Sequence, residues 1–265
     1  MGKIRLVALD LDGTLLTDDL IIEPRAKEIL QQLIKQGIGV TLATGRMFSS
    51  AQLFAIELGL ELPLIVYHGA QIRHAATAEV LYQSTLSLPL ARRLIKHLRR
   101  FDFAYNVYLS DRLYVEKIHP ENEEYAERTG IELHQVEDML SFLQEDPIKI
   151  VALRDSHELD RLEQIIRQDV GKELYLTRSL PFYLEMLNPD VNKARALQEL
   201  ASWYDIAPAE IMVFGDSYND VQMLAYACLG VAMGNAPDDV QTVADYVTAS
   251  NNEGGVAQAL EKFLL

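Results

Sequence analysis

Residues 4–14 of the chain read Ile4-Arg-Leu-Val-Ala-Leu-Asp10-Leu-Asp12-Gly-Thr14. The apolar run Ile4 to Leu9, interrupted only by Arg5, is typical of a buried parallel strand that ends at a glycine turn. Open α/β sheets bind ligands in the crevice outside the carboxyl ends of their strands. The carboxylates of Asp10 and Asp12 therefore indicate a ligand site at a strand end, although two acids before a turn are also a common solvated pair.

Strands and helices alternate along the chain around this stretch. A helix is predicted to begin at Pro24 and to end at Gly37, and a strand over 38–43 follows it. A second helix over 48–58 precedes an apolar run over 62–67. The C-terminal part resumes the rhythm, with a helix over 194–203, a strand over 211–214, a helix over 220–227 and a strand over 229–232. This alternation predicts an α/β fold with a doubly wound, mainly parallel sheet.

Residues 85–189 interrupt the alternation. Strands with hairpin-like spacing are predicted over 103–109 and 112–116, and helices over 90–99 and 159–168 lie among them. Such a mixture is typical of an α+β domain. We therefore predict a core domain formed by 1–84 and 190–265, with an inserted α+β domain between its two parts.

Composition excludes several classes of protein. The 265 residues include 24 Lys and Arg against 39 Asp and Glu, a net charge of −15, which opposes attraction to nucleic acid and to anionic membranes. No apolar run approaches the roughly 18 residues of a membrane span, and the start of the chain lacks signal-peptide features. The single cysteine, Cys228, excludes a disulfide framework and a cysteine-based zinc site. We expect a soluble, cytoplasmic protein.

A second acidic cluster follows the strand predicted over 211–214. It reads Gly215-Asp216-Ser217-Tyr218-Asn219-Asp220. Two strand ends that carry carboxylates can converge on one cation, and oxygen ligands without convergent histidine or cysteine favour Mg²⁺. Without a cation, clustered carboxylates repel and raise one another's pKa.

Two further segments could bind an anion. Thr44-Gly45-Arg46 follows the strand predicted over 38–43 and offers a hydroxyl, a backbone N–H and a cation, although Thr-Gly is also an ordinary turn. Lys193 stands at the start of a predicted helix, where a lysine is usually a solvated surface charge. Because the helix dipole favours anions at that end, an anionic ligand would explain this lysine.

Together, these segments resemble the four motifs of the haloacid dehalogenase (HAD) superfamily, in order: Asp10-x-Asp12-Gly-Thr14, Thr44-Gly-Arg46, Lys193 and Gly215-Asp216-x-x-Asn219-Asp220. The insertion falls between the second and third motifs, as in Cof-type phosphatases with a type IIB cap. Residues 230–236 and 252–256 also resemble that subfamily. The chain departs from its usual pattern at His68, where the subfamily usually has asparagine, and at Ala194, where glycine is frequent.

The resemblance implies a Mg²⁺-dependent phosphatase that acts on small phosphorylated metabolites such as sugar phosphates. It implies that Asp10 is the nucleophile and that Asp12 is the general acid and base. Mg²⁺ would be held by Asp10, by the backbone carbonyl of Asp12 and by Asp216. The resemblance also implies that the phosphate is bound by Thr44, Lys193, Asn219 and the N–H groups of Leu11 and Gly45. Asp220 and Arg46 are candidates for supporting these residues or for contacting the substrate.

Two other functions remain possible from the sequence. A phosphomutase of the same superfamily uses the same two acids but returns the phosphoryl group to its substrate. A phospho-receiver or other binding module also combines acids, a threonine and a lysine around Mg²⁺. Receivers lack a large inserted domain and have no use for a second acid like Asp12, which favours the enzyme. The nucleotide-binding patterns G-x-x-x-x-G-K-[ST] and G-x-G-x-x-G are absent.

Overall fold

The computed structural model describes residues 3–178 and 180–265, which form two compact units. The first unit, the core unit, combines the chain up to Gln83 with Asn192–Leu265. The second unit, the inserted unit, is Ser84–Val191. The predicted insertion, 85–189, covers nearly the same part of the chain.

The elements follow in chain order. The first part of the core unit contains β1 (Leu6–Leu9), α1 (Pro24–Lys35), β2 (Gly39–Leu42), α2 (Phe48–Leu58), β3 (Leu64–Val66), β4 (Gln71–Arg73) and β5 (Val80–Gln83). The inserted unit contains α3 (Leu88–Arg100), β6 (Ala104–Leu109), β7 (Arg112–Val115), α4 (Pro120–Thr129), β8 (Leu133–Gln135), α5 (Met139–Phe142), β9 (Lys149–Leu153), α6 (Ser156–Val170), β10 (Tyr175–Thr177) and β11 (Tyr183–Leu187). The second part of the core unit contains α7 (Lys193–Trp203), β12 (Ile211–Gly215), α8 (Val221–Tyr226), β13 (Leu229–Ala232), α9 (Asp238–Val243), β14 (Tyr246–Val247) and α10 (Gly255–Leu264).

The core unit is built on a five-stranded parallel sheet in the order β14-β13-β12-β1-β2. Strand β1 lies between β12 and β2, with Leu9 opposite both Phe214 and Leu42. All four residues of β1 are buried, as a central strand covered on both faces requires. The prediction of a doubly wound parallel sheet is confirmed. Because parallel strands end at a common edge, the segments after β1, β2 and β12 emerge side by side.

Helix α1 shows how local sequence determines an element. Its apolar residues recur at helical spacing and are buried on one face, at Ala26, Ile29, Leu30 and Leu33. The predicted start at Pro24 is confirmed. The Glu23 side chain accepts hydrogen bonds from the first free amides of the helix, and Gly37 follows its end with φ of 83°.

A smaller antiparallel sheet, β3-β4-β5, joins the parallel sheet beside β2. The Thr44 amide donates to the Ile65 carbonyl at 2.9 Å, which ties β3 to the segment after β2. Within the apolar run over 62–67, only Leu64–Val66 forms a strand, which ends where residues 67–69 form a tight turn. The β4–β5 hairpin was not predicted.

The inserted unit is an α+β fold with a six-stranded sheet in the order β10-β11-β9-β6-β7-β8. Helices α3 and α6 pack on one face of this sheet through residues such as Leu94, Leu98 and Leu162. The predicted hairpin is confirmed as β6 and β7. Within 3–178 and 180–265, no helix combines the length and apolar character needed to cross a bilayer.

Candidate active site

The segment after β1 turns sharply toward the segment after β12. Gly13 allows this turn with φ of 76°, in the left-handed region that favours glycine. A β-carbon at Gly13 would lie 2.5 Å from the Asp216 Oδ2 atom. The two acidic segments can therefore pack together only because this residue has no side chain.

Three carboxylates converge where these segments meet. Asp10, Asp216 and Asp220 each offer an oxygen, and these oxygens lie within 4.8 Å of one another. Lys193, at the first position of α7, has only 1% of its surface exposed. Its Nζ donates to Asp10 Oδ1 at 2.6 Å and to Asp220 Oδ1 at 2.8 Å. With all three acids ionised and one lysine charged, the cluster carries an excess of two negative charges.

Burial and like charge raise the pKa values of two acids in this cluster. Burial raises the pKa of Asp10 well above its usual range against the opposing effect of Lys193, and Asp220 and Asp216 add repulsion. Burial, with repulsion from Asp220, raises the pKa of Asp216 to about 7. Burial alone would lower the pKa of Lys193, but Asp10 and Asp220 outweigh it and hold that pKa above its usual range. The ammonium is therefore a fixed positive charge.

Asp220 holds the site together. Besides binding Lys193, it accepts hydrogen bonds at Oδ2 from the amides of Asp216 (3.1 Å) and Ser217 (3.0 Å). Both of its oxygens are thereby used to fix the loop and the lysine. Gly215 lets Asp220 approach, because a β-carbon there would lie 2.5 Å from the Asp220 Cβ atom.

The remaining carboxylate oxygens suit a cation. Asp10 Oδ1 accepts from Lys193 and Asp216 Oδ1 accepts from Thr14 at 2.8 Å. Across the part of the chain that the structure describes, no hydrogen bond is donated to Oδ2 of either acid. Two such oxygens in a site with excess negative charge fit a hard divalent cation. A metal ion at this position is compatible with the donor set.

Asp12 lies apart from this cluster. Its carboxylate is about half exposed (53%) and is bound in bidentate fashion by Arg46, from Nε to Oδ2 at 2.8 Å and from Nη2 to Oδ1 at 2.6 Å. Arg46 also donates to Ser50 at 3.3 Å, and its guanidinium lies 5.2 Å from the centre of the Phe54 ring. The acid is thus held at the rim of the site. Sequence reasoning did not foresee this pair.

The segment after β2 approaches the same edge. Thr44 is buried, and its hydroxyl oxygen accepts from the Arg46 amide at 3.1 Å. Gly45 packs against the imidazole of His68. The amide of Asn219 lies 3.4 Å from that imidazole, so these predicted phosphate ligands belong to one connected group. Leu11 is buried between the two acids that follow β1.

Two asparagines that sequence reasoning did not single out hold the loop after β1. Asn235 donates from Nδ2 to the Gly13 carbonyl at 2.8 Å, and its Oδ1 accepts from the Asn251 amide at 3.1 Å. Asn251 donates in turn to the Leu16 carbonyl at 2.9 Å. The resemblance of residues 230–236 to the subfamily was the available signal for Asn235.

Comparison with known proteins identifies the class of protein. A family model described as haloacid dehalogenase-like hydrolase matches residues 7–260. The chain therefore belongs to the haloacid dehalogenase-like hydrolases, in agreement with the predicted Cof-type membership. It is an enzyme, and the non-enzymatic receiver is excluded.

Individual relatives cover nearly the whole chain. The 5-amino-6-(5-phospho-D-ribitylamino)uracil phosphatase YitU of Bacillus subtilis (strain 168) is 31% identical over 266 residues, 97% of each chain. The HMP-PP phosphatase of Serratia proteamaculans (strain 568) is 31% identical over 232 residues, which are 88% of this chain and 84% of that protein. The crystal structure of a haloacid dehalogenase-like hydrolase from Bacteroides thetaiotaomicron superposes with a TM-score of 0.92 at 29% identity, over 99% of this chain and 100% of that one. This chain is accordingly a phosphatase-type hydrolase.

Proposed function

We propose that this protein is a Mg²⁺-dependent phosphatase that hydrolyses small phosphate monoesters, sugar phosphates or related metabolites, through an aspartyl-phosphate on Asp10. The observation that carries the proposal is the buried Asp10 carboxylate, bound by Lys193 at one oxygen and free of hydrogen-bond donors among the described residues at the other. YitU and the Serratia enzyme are named as phosphatases of small phosphorylated compounds, which supports the same substrate class here.

In the first half-reaction, a carboxylate oxygen of Asp10 forms a bond to phosphorus while the bond from phosphorus to the ester oxygen breaks. Asp12 transfers its proton to the departing alkoxide, which leaves as the alcohol. A positioned acid of this kind contributes on the order of 10²–10⁴-fold to the rate. For this step, Asp12 must leave the bidentate contact with Arg46 and take up a proton.

In the second half-reaction, the Asp12 carboxylate accepts a proton from water as the water oxygen bonds to phosphorus. The bond between phosphorus and Asp10 breaks, which releases inorganic phosphate and regenerates the free Asp10 carboxylate. Dividing one difficult displacement into two steps is the benefit of a covalent intermediate. The proton taken from water restores the acid form of Asp12 for the next cycle.

Mg²⁺ would be held by Asp10, Asp216 and the backbone carbonyl of Asp12, and when bound it would neutralise the charge that develops on the transferring phosphoryl group. Lys193 supplies a fixed charge beside the same group. The other phosphate oxygens would be bound by the Thr44 hydroxyl, by Asn219 and by the N–H groups of Leu11 and Gly45.

A panel of phosphate monoesters tests this function. With Mg²⁺, we expect free phosphate from small sugar phosphates and related metabolites, loss of activity with EDTA and recovery when Mg²⁺ is restored. Ca²⁺ should support turnover poorly because its coordination shell is larger and less regular. Full activity without metal would contradict the proposed metal site. Phosphoryl return to the substrate, with no free phosphate, would identify a phosphomutase instead.

We propose further that the inserted unit selects the leaving group, since the predicted phosphate ligands all come from the core unit. Replacing Ser84–Val191 with the corresponding unit of YitU should transfer the ester ranking of YitU to the chimera. Activity on a small activated aryl phosphate serves as the control for an intact core unit. A chimera that keeps the ranking of this protein would assign specificity to core residues such as Arg46 and His68.

A further inference from the structure

The turn of residues 67–69 contacts two parts of the candidate phosphate site. All three residues have positive φ, 53° at Tyr67, 59° at His68 and 96° at Gly69, a conformation that side-chain-bearing residues rarely adopt. On one side, the His68 amide donates to the Thr44 carbonyl at 2.9 Å. On the other, a β-carbon at Gly69 would lie 2.5 Å from the carbonyl oxygen of Asn192, the cap of α7. The turn therefore packs directly between the segment after β2 and the start of α7.

The imidazole of His68 fills the space beside Gly45. The side chain is buried, with 1% of the residue exposed. A β-carbon at Gly45 would lie 2.3 Å from Cε1 and 2.5 Å from Nε2 of the ring. The ring therefore requires glycine at position 45, and it supports the backbone that carries the proposed phosphate-binding N–H.

The same ring orients the amide of Asn219. The Ser217 hydroxyl donates to Asn219 Oδ1 at 3.0 Å, which turns Nδ2 toward His68. Nδ2 lies 3.4 Å from His68 Nδ1. With the amide in this orientation its NH₂ group can only donate, so Nδ1 is the acceptor in this contact. One N–H of Asn219 is thereby used to fix the side chain, and its second N–H remains for a ligand.

We propose that His68 is a positioning residue for phosphate binding, acting through Asn219 and Gly45. The inference rests on the proposed phosphatase function and adds a residue whose role the motifs do not define. The similar subfamily usually has asparagine here. Its Oδ1 would lie the same number of bonds from Cβ as Nδ1 of His68 does. Asparagine also tolerates positive φ. Either side chain can therefore accept from Asn219, and alanine cannot.

Variants of His68 and Asn219 test the proposal through affinity for inorganic phosphate, measured by calorimetric titration in Mg²⁺, and through KM for a sugar phosphate. H68A and N219A should each weaken phosphate binding about tenfold, as expected for one lost hydrogen bond. The double variant should bind little worse than either single one, because both changes remove the same oriented donor. H68N should bind phosphate within about threefold of the wild type.

Thermal unfolding of each variant separates positioning from a structural role. Because alanine is strained at φ of 59°, H68G provides a second ring deletion without that strain. The proposal would be overturned if the losses of phosphate affinity in H68A and N219A multiplied in the double variant. It would also be overturned if folded H68N and folded H68A lost the same phosphate affinity. If the wild type binds phosphate but cleaves no monoester, the proposed function fails while these binding ratios still test His68.

A steric test uses the contact with Gly45. G45A should weaken phosphate binding strongly, since its methyl group would overlap the imidazole. In the H68G background, the same G45A change should reduce phosphate affinity much less, because the imidazole is absent. Equal losses in the two backgrounds would show that the ring does not support this backbone.

Discussion

Replacing Asp10 with asparagine should reduce phosphate release by about 10³-fold or more, and no phosphoryl-enzyme should form. Asparagine has the same shape, but its neutral amide is a poor nucleophile toward phosphorus. Lys193 would keep its contact with Asp220, so the variant should remain folded. The measurement is phosphate release from an ester that the wild type cleaves, together with acid-quenched labelling of the protein by radioactive phosphate.

The same experiment on Asp12 should give a different result. D12N should still form a labelled phosphoryl-enzyme from an activated aryl phosphate, because a good leaving group needs no proton. Breakdown of that intermediate should slow by roughly 10²–10⁴-fold, since no base activates water. The double variant D10N/D12N is the control and should take up no label. If D10N turned over substrate at the wild-type rate, Asp10 would not be the nucleophile. If both half-reactions of D12N kept their wild-type rates, Asp12 would not be the general acid and base.

Elements that are specified by local pattern could be predicted from the sequence. Strand β1 is a buried apolar run with a glycine turn after it, and α1 has helical spacing, a proline start and a glycine after its end. The parallel sheet followed from the alternation of such elements. The short, partly exposed hairpin of β4 and β5 lacks a strong period-2 pattern, so its sequence gives little signal.

The side-chain partners in the site depend on three-dimensional contacts that periodicity does not encode. The sequence places acids after β1 and β12, and the parallel sheet brings Asp10 and Asp216 to one edge. The bidentate contact between Asp12 and Arg46 depends on two turns after different strands. The contact of His68 with Gly45 depends on a left-handed turn over residues 67–69, a conformation that few residues other than glycine adopt.

Mg²⁺ should stabilise the folded protein, and this effect should grow as the pH rises from 6 to 8. In the metal-free protein, burial raises the pKa of Asp216 to about 7, so near pH 6 a proton must leave this acid before a cation can bind. Release of that proton alone would raise the affinity for Mg²⁺ by up to about tenfold per pH unit in this range. At about 100 times the dissociation constant, binding would stabilise the fold by about 2.7 kcal/mol.

The stability of the metal-free protein should change in the opposite direction. The carboxyl of Asp216 has its ordinary pKa of 3.8 when unfolded and about 7 when folded, so the folded state holds the proton more tightly. Its contribution to stability is complete below pH 4 and is lost as the pH rises through 7. With EDTA, the unfolding temperature should decrease as the pH rises from 6 to 8. Saturating Mg²⁺ should make this decrease smaller.

The isosteric variant D216N isolates the source of this behaviour. Its amide oxygen can still accept from the Thr14 hydroxyl, so the loop contact is retained while the titrating carboxylate is removed. Metal-free D216N should lose much of the decline in unfolding temperature between pH 6 and 8, and Mg²⁺ should no longer stabilise it. E57Q is the matched control, because that carboxylate pairs with Lys27 at the surface and should leave the response to Mg²⁺ intact. If the unfolding temperatures of metal-free wild type and D216N declined equally with pH, Asp216 would not be the source of the pH dependence. If Mg²⁺ still stabilised D216N, the cation would have to be held by other groups.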